Sequence, residues 1–380
     1  MRQLDAALDY TRTTSAKSGG QATALQISTI PLRIELFNSL LVLREGMKIS
    51  VVIPVRNEQT SIRTLLDGLL NQTLPPAEIV ITDGGSTDAT AAIISEFIER
   101  GAPINLIRST PALPGRGRNL AAAQAQNEWL AFIDAGTTPE SNWLESLAKA
   151  VEKDTDVVYG TYEPVTDSRF KVCAVMAYIA PPSVNNGRLI RGCSVVSMLT
   201  KHNVWETVGG FPEHLRSAED LLFMRKIEAA GFKIVRAPDA LVHWQVQATA
   251  WGTFKRFIGY ARSNMRAGLW HEWQARVFTR YGLLLLSALP AIFLGSKWLL
   301  VTLLLWLSMQ AARTFVSLWR NRLIYPANGF QSLMRAMELA PIITLLDAAT
   351  IIGTVQWLFT DALKAKPASE IVDQTPKAFS

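Results

Sequence analysis

Ile49-Ser-Val-Val-Ile-Pro-Val-Arg-Asn-Glu58 decides the reading of this chain, together with a second stretch of the same build, Glu78-Ile-Val-Ile-Thr-Asp-Gly-Gly-Ser-Thr-Asp88. Each begins as an apolar, β-branched run and ends in polar or turn-forming residues. This is how a buried parallel strand delivers functional groups to its carboxyl edge. Two such edges side by side make a nucleotide site.

Outward from these stretches, strand patterns alternate with helical ones between 48 and about 245, the signature of a layered α/β domain. Strands are expected at 49–55, 78–82, 104–108, 129–133, 156–162, 192–199 and 233–237, and helices at 58–71, 87–100, 116–126, 139–152, 202–208 and 218–230. Asn57, Ser86 and Thr138 read as helix caps, Pro139 as a first helical residue, and Gly101 and Gly231 as C-terminal stops. Residues 1–46 lack a firm pattern. Their apolar patch, Leu36 to Leu43, is shorter than the ~20 residues of a bilayer span, and no signal-peptide cleavage pattern is present. Because Met47-Lys48 directly precedes the first strand, 1–46 is expected to be a flexible or surface-lying extension and 47–250 the main domain.

A chain of 380 residues holds a full core and more than one module, since domains run to roughly 100–200 residues. Its two cysteines, Cys173 and Cys193, form no CxxC and accompany no histidine cluster. That pattern argues against a disulfide framework or a zinc site and suits a reducing compartment. The net charge of +6 fits nucleic acid or an anionic membrane. The Arg and Lys residues decide for the membrane: they cluster beside apolar runs in the second half and form no single basic face.

Beyond 250 the composition changes. Trp251-Gly-Thr-Phe-Lys-Arg-Phe-Ile-Gly-Tyr-Ala-Arg262 puts aromatic and basic residues on one helical segment, and 251–280 reads as an amphipathic stretch in a membrane interface. Apolar runs follow at 281–295, 298–318 and 337–360. The latter two reach the ~20 residues a span requires, while the first is short and contains Pro290. Two or three transmembrane helices within 281–362 are expected, with 363–380 as a tail. Arg276 and Arg280 precede the first run, and Arg320, Arg322 and Arg335 separate the second from the third, whereas the first connection offers only Lys297. The positive-inside rule then makes the protein an integral membrane protein with a cytoplasmic main domain. Lys364, Lys366 and Lys377 argue against an external C terminus. The competing reading is a soluble all-α module, in which three long apolar stretches with flanking Trp and Arg are uncommon.

Taken together, the segments of 48–245 resemble the family 2 glycosyltransferases. The resemblance rests on Ser50-Val-Val-Ile-Pro-Val-Arg-Asn-Glu58, Asp83-Gly-Gly-Ser-Thr-Asp88, Gly115-Arg-Gly-Arg-Asn119, Phe132-Ile-Asp-Ala-Gly136, Gly209-Gly-Phe-Pro212 and Ala218-Glu-Asp-Leu221, in that order. It implies a GT-A fold, a Rossmann-like mixed α/β sheet for nucleotide-diphospho-sugars, followed here by C-terminal transmembrane helices. It also implies inverting sugar transfer.

Each motif has a chemical reading beside a structural one. Pro54, Val55, Arg56 and Glu58 turn from strand to helix, so backbone and carboxylate face a base and ribose; the resemblance implies uridine there. Asn57 as a cap and Glu58 at the positive end of the helix dipole would serve the same residues structurally. Asp83 stands where a carboxylate accepts from a uracil imide, and Arg118 where a guanidinium and helix-opening N–H groups meet a diphosphate. Asp134 is the strand-end aspartate of the family's Asp-x-Asp, whose carboxylates hold Mg²⁺ or Mn²⁺. Here the triplet is Asp134-Ala135-Gly136, so the second carboxylate is missing, and His243 is the candidate distant ligand, although a single His beside Trp more often packs than ligates. Glu219-Asp220 matches the catalytic pair, with Asp220 as general base and Glu219 as its neighbour or an acceptor contact. The same residues also fit a capping box opened by Ser217. Cys193 is expected to pack in the core, and the absence of a Gln-x-x-Arg-Trp motif near Lys255–Arg262 favours single-sugar transfer over polymerisation.

The expected function is transfer of a sugar, hexosyl or N-acetylhexosaminyl, from a nucleotide-sugar donor to a lipid-linked or membrane-proximal acceptor, with membrane lipid as a partner and no nucleic acid. The alternative is a degenerate nucleotide-sugar-binding membrane subunit.

Overall fold

A computed structural model describes residues 46–185 and 188–363. The expected N-terminal extension, apart from its last residue, and the tail beyond Leu363 lie outside the described residues. The two opening stretches form β1 (Ile49–Val55) and β2 (Glu78–Asp83), paired in parallel from Ser50–Glu78 to Val55–Asp83. Around them run α1 (Ile62–Leu70), α2 (Thr90–Glu99), β3 (Ile104–Arg108), α3 (Pro114–Gln124), β4 (Trp129–Phe132), β5 (Thr137–Pro139) and α4 (Trp143–Lys149). Next come β6 (Val157–Val165), α5 (Arg169–Tyr178), the hairpin β7 (Ser183–Asn185) and β8 (Arg188–Ile190), β9 (Met198–Lys201), α6 (His202–Thr207), α7 (Glu219–Ala229) and β10 (Ile234–Gln245). The chain continues through α8 (Ala250–Arg266), α9 (Gln274–Ala288), α10 (Ala291–Leu294), α11 (Leu299–Asn321) and α12 (Gly329–Trp357).

Eight strands form one mixed sheet in the order β3-β2-β1-β4-β9-β6-β10-β5. Strands β1 to β4 are parallel, β9 is antiparallel to both β4 and β6, and β5 is antiparallel to β10. This is the expected GT-A-like α/β fold. Both faces of the parallel half are covered, which is why Val51, Val52, Ile53, Ile79, Val80 and Ile81 read as unbroken apolar runs. Val52, Val80 and Phe132 pack with Ala121 and Ala122 of α3 and with Phe223 and Ile227 of α7. The strand order reverses beside β1, and a crevice opens there at the carboxyl ends.

Several local expectations are corrected. Helix α1 begins at Ile62, not 58, because Asn57 takes a left-handed conformation (φ 56°) and its side chain accepts from Thr87 N–H (2.8 Å) across the loop. Ser86 likewise caps nothing; its hydroxyl accepts from Asn57 N–H (2.9 Å). Thr138 and Pro139 belong to β5, and α4 starts only at Trp143. Strand β10 runs to Gln245 through an irregularity between Arg236 and Leu241, and α5 had no sequence counterpart. Gly101 and Gly231 do stop their helices at positive φ (86° and 75°).

Three helical stretches, Gln274–Leu294, Ser296–Asn321 and Gly329–Ala362, are long and apolar enough to cross a membrane. They differ in their surroundings. The hairpin of α9 to α11 exposes Leu285, Ile292, Phe293, Leu300 and Leu304. Helix α12 instead packs against α5 and α8: Leu339, Ile342, Ile343 and Ala349 join Cys173 and Phe257 in a second core. A Cβ at Gly353 would press on the Ile258 carbonyl and sit 2.8 Å from Ala261 Cβ, so glycine permits this close crossing. Glu338 pairs with Arg169 of α5, while Asp361 pairs with Arg262 (2.8 Å) and Arg266 (2.7 Å) of α8. Glu338 inside α12 is thus tied to α5 of the main domain, and Asp361, just beyond its C-terminal end, is tied to α8.

Candidate active site

The crevice is an open cavity of about 930 Å³. Pro54 to Glu58 line one side, Thr82 and Gly84 lie beside them, and Ala112, Leu113, Pro114, Gly117 and Arg118 form the next wall. Asp134, Ala135, Gly136 and the Arg216–Leu221 segment close it. The sheet therefore brings five sequence motifs, spread over more than 160 residues, to one place.

Close backbone approaches explain the glycines. A Cβ at Gly84 would lie 2.5 Å from the Ala112 carbonyl, and one at Gly117 would lie 3.0 Å from Pro54 Cβ. Asn119 accepts from Phe211 N–H (2.9 Å) and Trp205 Nε1–H (3.0 Å) and donates to the Phe211 carbonyl (2.9 Å). It locks Gly209-Gly-Phe-Pro212 onto α3, so this Asn is structural while its neighbour Arg118 faces the site.

Arg118 is the electrostatic centre. It is 4 % exposed, and its guanidinium donates to Glu219 Oε1 (2.7 Å) and Asp134 Oδ1 (2.6 Å) and lies over the Phe211 ring. Burial opposes its charge, but Asp134, Glu219 and Asp220 outweigh that and hold it more firmly protonated than usual. Arg118 Nε and Glu219 Oε2 are buried without a hydrogen-bond partner, so the cluster retains polar capacity.

Asp220 follows Glu219 in the first turn of α7, and the capping-box reading does not hold. The N-cap is Ala218 in a left-handed conformation (φ 69°), with no side-chain cap bond. That strained turn aims the acidic pair into the cleft. Burial raises the Asp220 carboxyl above its ordinary value, with Asp134 adding to the effect and Arg118 opposing it. Burial also raises Glu219, against the pull of Arg118.

A second lobe of about 770 Å³ adjoins the first, lined by Thr137, Thr138 and Trp244 to Ala248. Glu58, Asp134, Asp220, Tyr162, Arg256 and Tyr260 border both lobes. Asp220 thus stands between two chambers. Arg256 and Tyr260 were missed as site residues, although their i, i+4 spacing puts them on one face of α8.

Three expected residues have surroundings the sequence did not show. Asp83 is 4 % exposed, accepts from Ser86 N–H (2.8 Å) and does not line the cleft. Its neighbour Thr82 does, with a buried hydroxyl lacking a partner. His243 is turned to Glu140 (Nε2 to Oε1, 2.7 Å) and lines neither lobe. Cys193 is exposed at the cleft edge and accepts from Arg236 Nη1 (2.7 Å), so it is not a core residue.

The resemblance implies a divalent metal, and the residues present do not fit one as an Asp-x-Asp would. Asp134 gives one oxygen to Arg118, Gly136 offers no ligand, and His243 is engaged elsewhere. Among the described residues no group of three or more His, Cys, Asp and Glu side chains is placed to hold an ion.

Residues 50–177 match Glycosyl transferase family 2. Glycosyltransferase AglE of Haloferax volcanii is 27 % identical over 201 residues, covering 51 % of this chain and 65 % of that protein. The poly(ribitol-phosphate) β-N-acetylglucosaminyltransferase TarS of Staphylococcus aureus is 30 % identical over 191 residues, 47 % of this chain and 32 % of that one. The chain thus spans less than two thirds of either relative. Among solved structures, the mannosyltransferase PcManGT from Pyrobaculum calidifontis, in complex with GDP-Man and Mn²⁺, aligns with a TM-score of 0.48 at 18 % identity, covering 87 % of this chain and 98 % of that one.

Proposed function

We propose that this chain, whose residues 50–177 match Glycosyl transferase family 2, moves a sugar from a UDP-sugar to the hydroxyl of a lipid-linked or membrane-proximal acceptor, with Asp220 as the base. The observation that carries this reading is the position of Asp220 between the two lobes. The lobe of Pro54–Glu58, Thr82 and Gly84 takes the nucleotide, and the lobe beside Trp244 takes the acceptor. The activity in the name of TarS, β-N-acetylglucosaminyl transfer, supports an N-acetylhexosamine as the sugar.

An acceptor hydroxyl is a poor nucleophile at neutral pH. As its oxygen bonds to the anomeric carbon, its proton passes to the Asp220 carboxylate, and the bond from that carbon to the diphosphate oxygen breaks. Attack opposite the leaving group inverts the carbon. A carboxyl held above its ordinary range by burial is the stronger proton acceptor, which suits that task. Arg118 keeps Glu219 and Asp134 in place, and Arg56, Arg216 and Arg256 on the walls supply positive charge for the leaving diphosphate.

In this reading the hairpin of α9 to α11 enters the bilayer from the cytoplasmic side, with Lys297 and Trp298 at its tip. Helix α12 lies along the membrane surface in this reading, because Glu338 ties it to α5 and Asp361, just past its C-terminal end, ties it to α8. Phe330, Leu333, Met337, Ile352, Val355 and Phe359 give it an apolar outer stripe. The test is nucleotide release by the full-length protein in detergent across a panel of UDP- and GDP-sugars, with Mn²⁺ and with chelator. Release above an Asp220→Asn control is expected, whereas donor binding with no release above that control would favour a binding subunit.

A further inference from the structure

A third cavity, of about 910 Å³, lies where the catalytic domain meets the apolar helices. Arg276 and Arg280 of α9 and Arg313 and Arg320 of α11 line it, against only two carboxylates, Glu272 and Asp347. Both carboxylates are already engaged. Asp347 is 3 % exposed and accepts from Arg313 Nη2 (3.1 Å), Arg280 Nη2 (3.3 Å) and the Tyr281 hydroxyl (3.1 Å). Glu272 pairs with Arg225 on the domain side. Arg276 and Arg320 form no ion pair among the described residues, and Arg280 Nε is buried with no hydrogen-bond partner. The cavity therefore has an excess of guanidinium groups with donors to spare, the composition that recognises phosphate.

Its depth follows from helix geometry. At about 1.5 Å per residue, Arg280 and Arg313 lie roughly 22–24 Å from the hairpin tip, and Arg276 and Arg320 farther still. A hydrocarbon core of about 30 Å with the tip at its far side puts Arg276 and Arg320 at the other boundary, at headgroup level, and Arg280 and Arg313 about 6–8 Å beneath it. The remaining wall includes Tyr178, Phe257, Trp273 and Ile343, a surface for the first part of a lipid chain. Tyr162, Trp244 and Tyr260 are shared with the lobe that holds Asp220, so the cavity is continuous with the acceptor side of the site.

We infer that this cavity holds the phosphate or diphosphate of a lipid-linked saccharide while its terminal sugar reaches Asp220. The inference rests on the proposed transferase reading and deepens it. A base is needed only for a hydroxyl, since a phosphate oxygen is already ionised at neutral pH. Base and phosphate site are separate here, so the atom that accepts the new sugar is a sugar hydroxyl and the phosphate is the handle.

The full-length protein in phosphatidylcholine nanodiscs, titrated with a polyprenyl diphosphate, tests this directly. The expected result is saturable binding, at least about tenfold weaker for the corresponding polyprenol and for the double variant Arg276→Gln/Arg320→Gln, with UDP binding unchanged. Neither arginine holds an ion pair, so the double variant is expected to fold. Equal affinity for polyprenol overturns the inference. So does an unchanged affinity in the double variant, or full displacement by equimolar phosphatidylglycerol or inorganic diphosphate. A protein that binds the lipid diphosphate as expected but neither binds UDP nor releases nucleotide from any donor would instead sink the transferase reading alone.

Discussion

Asp220, Glu219 and Asp134 place three carboxylates around one buried guanidinium, and the balance is negative. The Asp220 carboxyl is raised by burial, so it binds its proton more tightly folded than unfolded. Its charge therefore costs stability at pH above the folded value, and the cost fades as pH falls through that value and is gone below the ordinary aspartate range. The acidic limb of kcat/KM is accordingly expected at a pH above that of an ordinary aspartate. Asp220→Asn should melt no lower than wild type at neutral pH, with the difference vanishing in acid; calorimetry across pH checks this. Arg118→Met behaves oppositely. It leaves Glu219 buried at 4 % exposure with no counter-charge, and a loss of about 3–5 kcal/mol is expected in denaturant unfolding.

Elements decide how much of this was visible in the sequence. Strands β1 and β2 were legible because both faces are covered and their apolar runs end in turn chemistry. Arg118 and Glu219 were legible as motif members, but their pairing across 101 residues was not, because only the sheet order brings them together. The neighbours of Asp83 and His243 were hidden for a related reason: residue type and strand-end position say nothing about which group meets the side chain, here Ser86 N–H and Glu140. Helix α12 is long and apolar enough to cross a membrane, as its length and composition led one to expect, but those cannot register its ion pairs to α5 and α8. Its seating depends on Gly353. A Gly353→Leu change drives a side chain into the Ile258 carbonyl and Ala261, and overpacking of this kind costs about 1–3 kcal/mol. Faster proteolysis between α11 and α12 in detergent would report it, and unchanged cleavage would show that α12 does not seat on α8 as described.

At the scale of the whole molecule, a nucleotide lobe, a base, an acceptor lobe and an arginine-lined cavity run in sequence from the catalytic crevice toward the membrane-facing helices. Topology is open to direct labelling. A cysteine replacing Ser296 at the hairpin tip should react with an impermeant maleimide only from outside the cell, and one replacing Thr360 only after the membrane is opened; exterior labelling at both positions would make α12 a third span. The most direct test of the whole arrangement measures nucleotide release together with sugar transfer to a lipid-diphosphate saccharide, for wild type and Asp220→Asn in the same nanodiscs. Wild type should release nucleotide in step with product, and Asp220→Asn should retain donor binding while turnover falls by about 10²–10⁴. Turnover by Asp220→Asn at the wild-type rate would contradict the assignment of the base and the two-lobed site built around it.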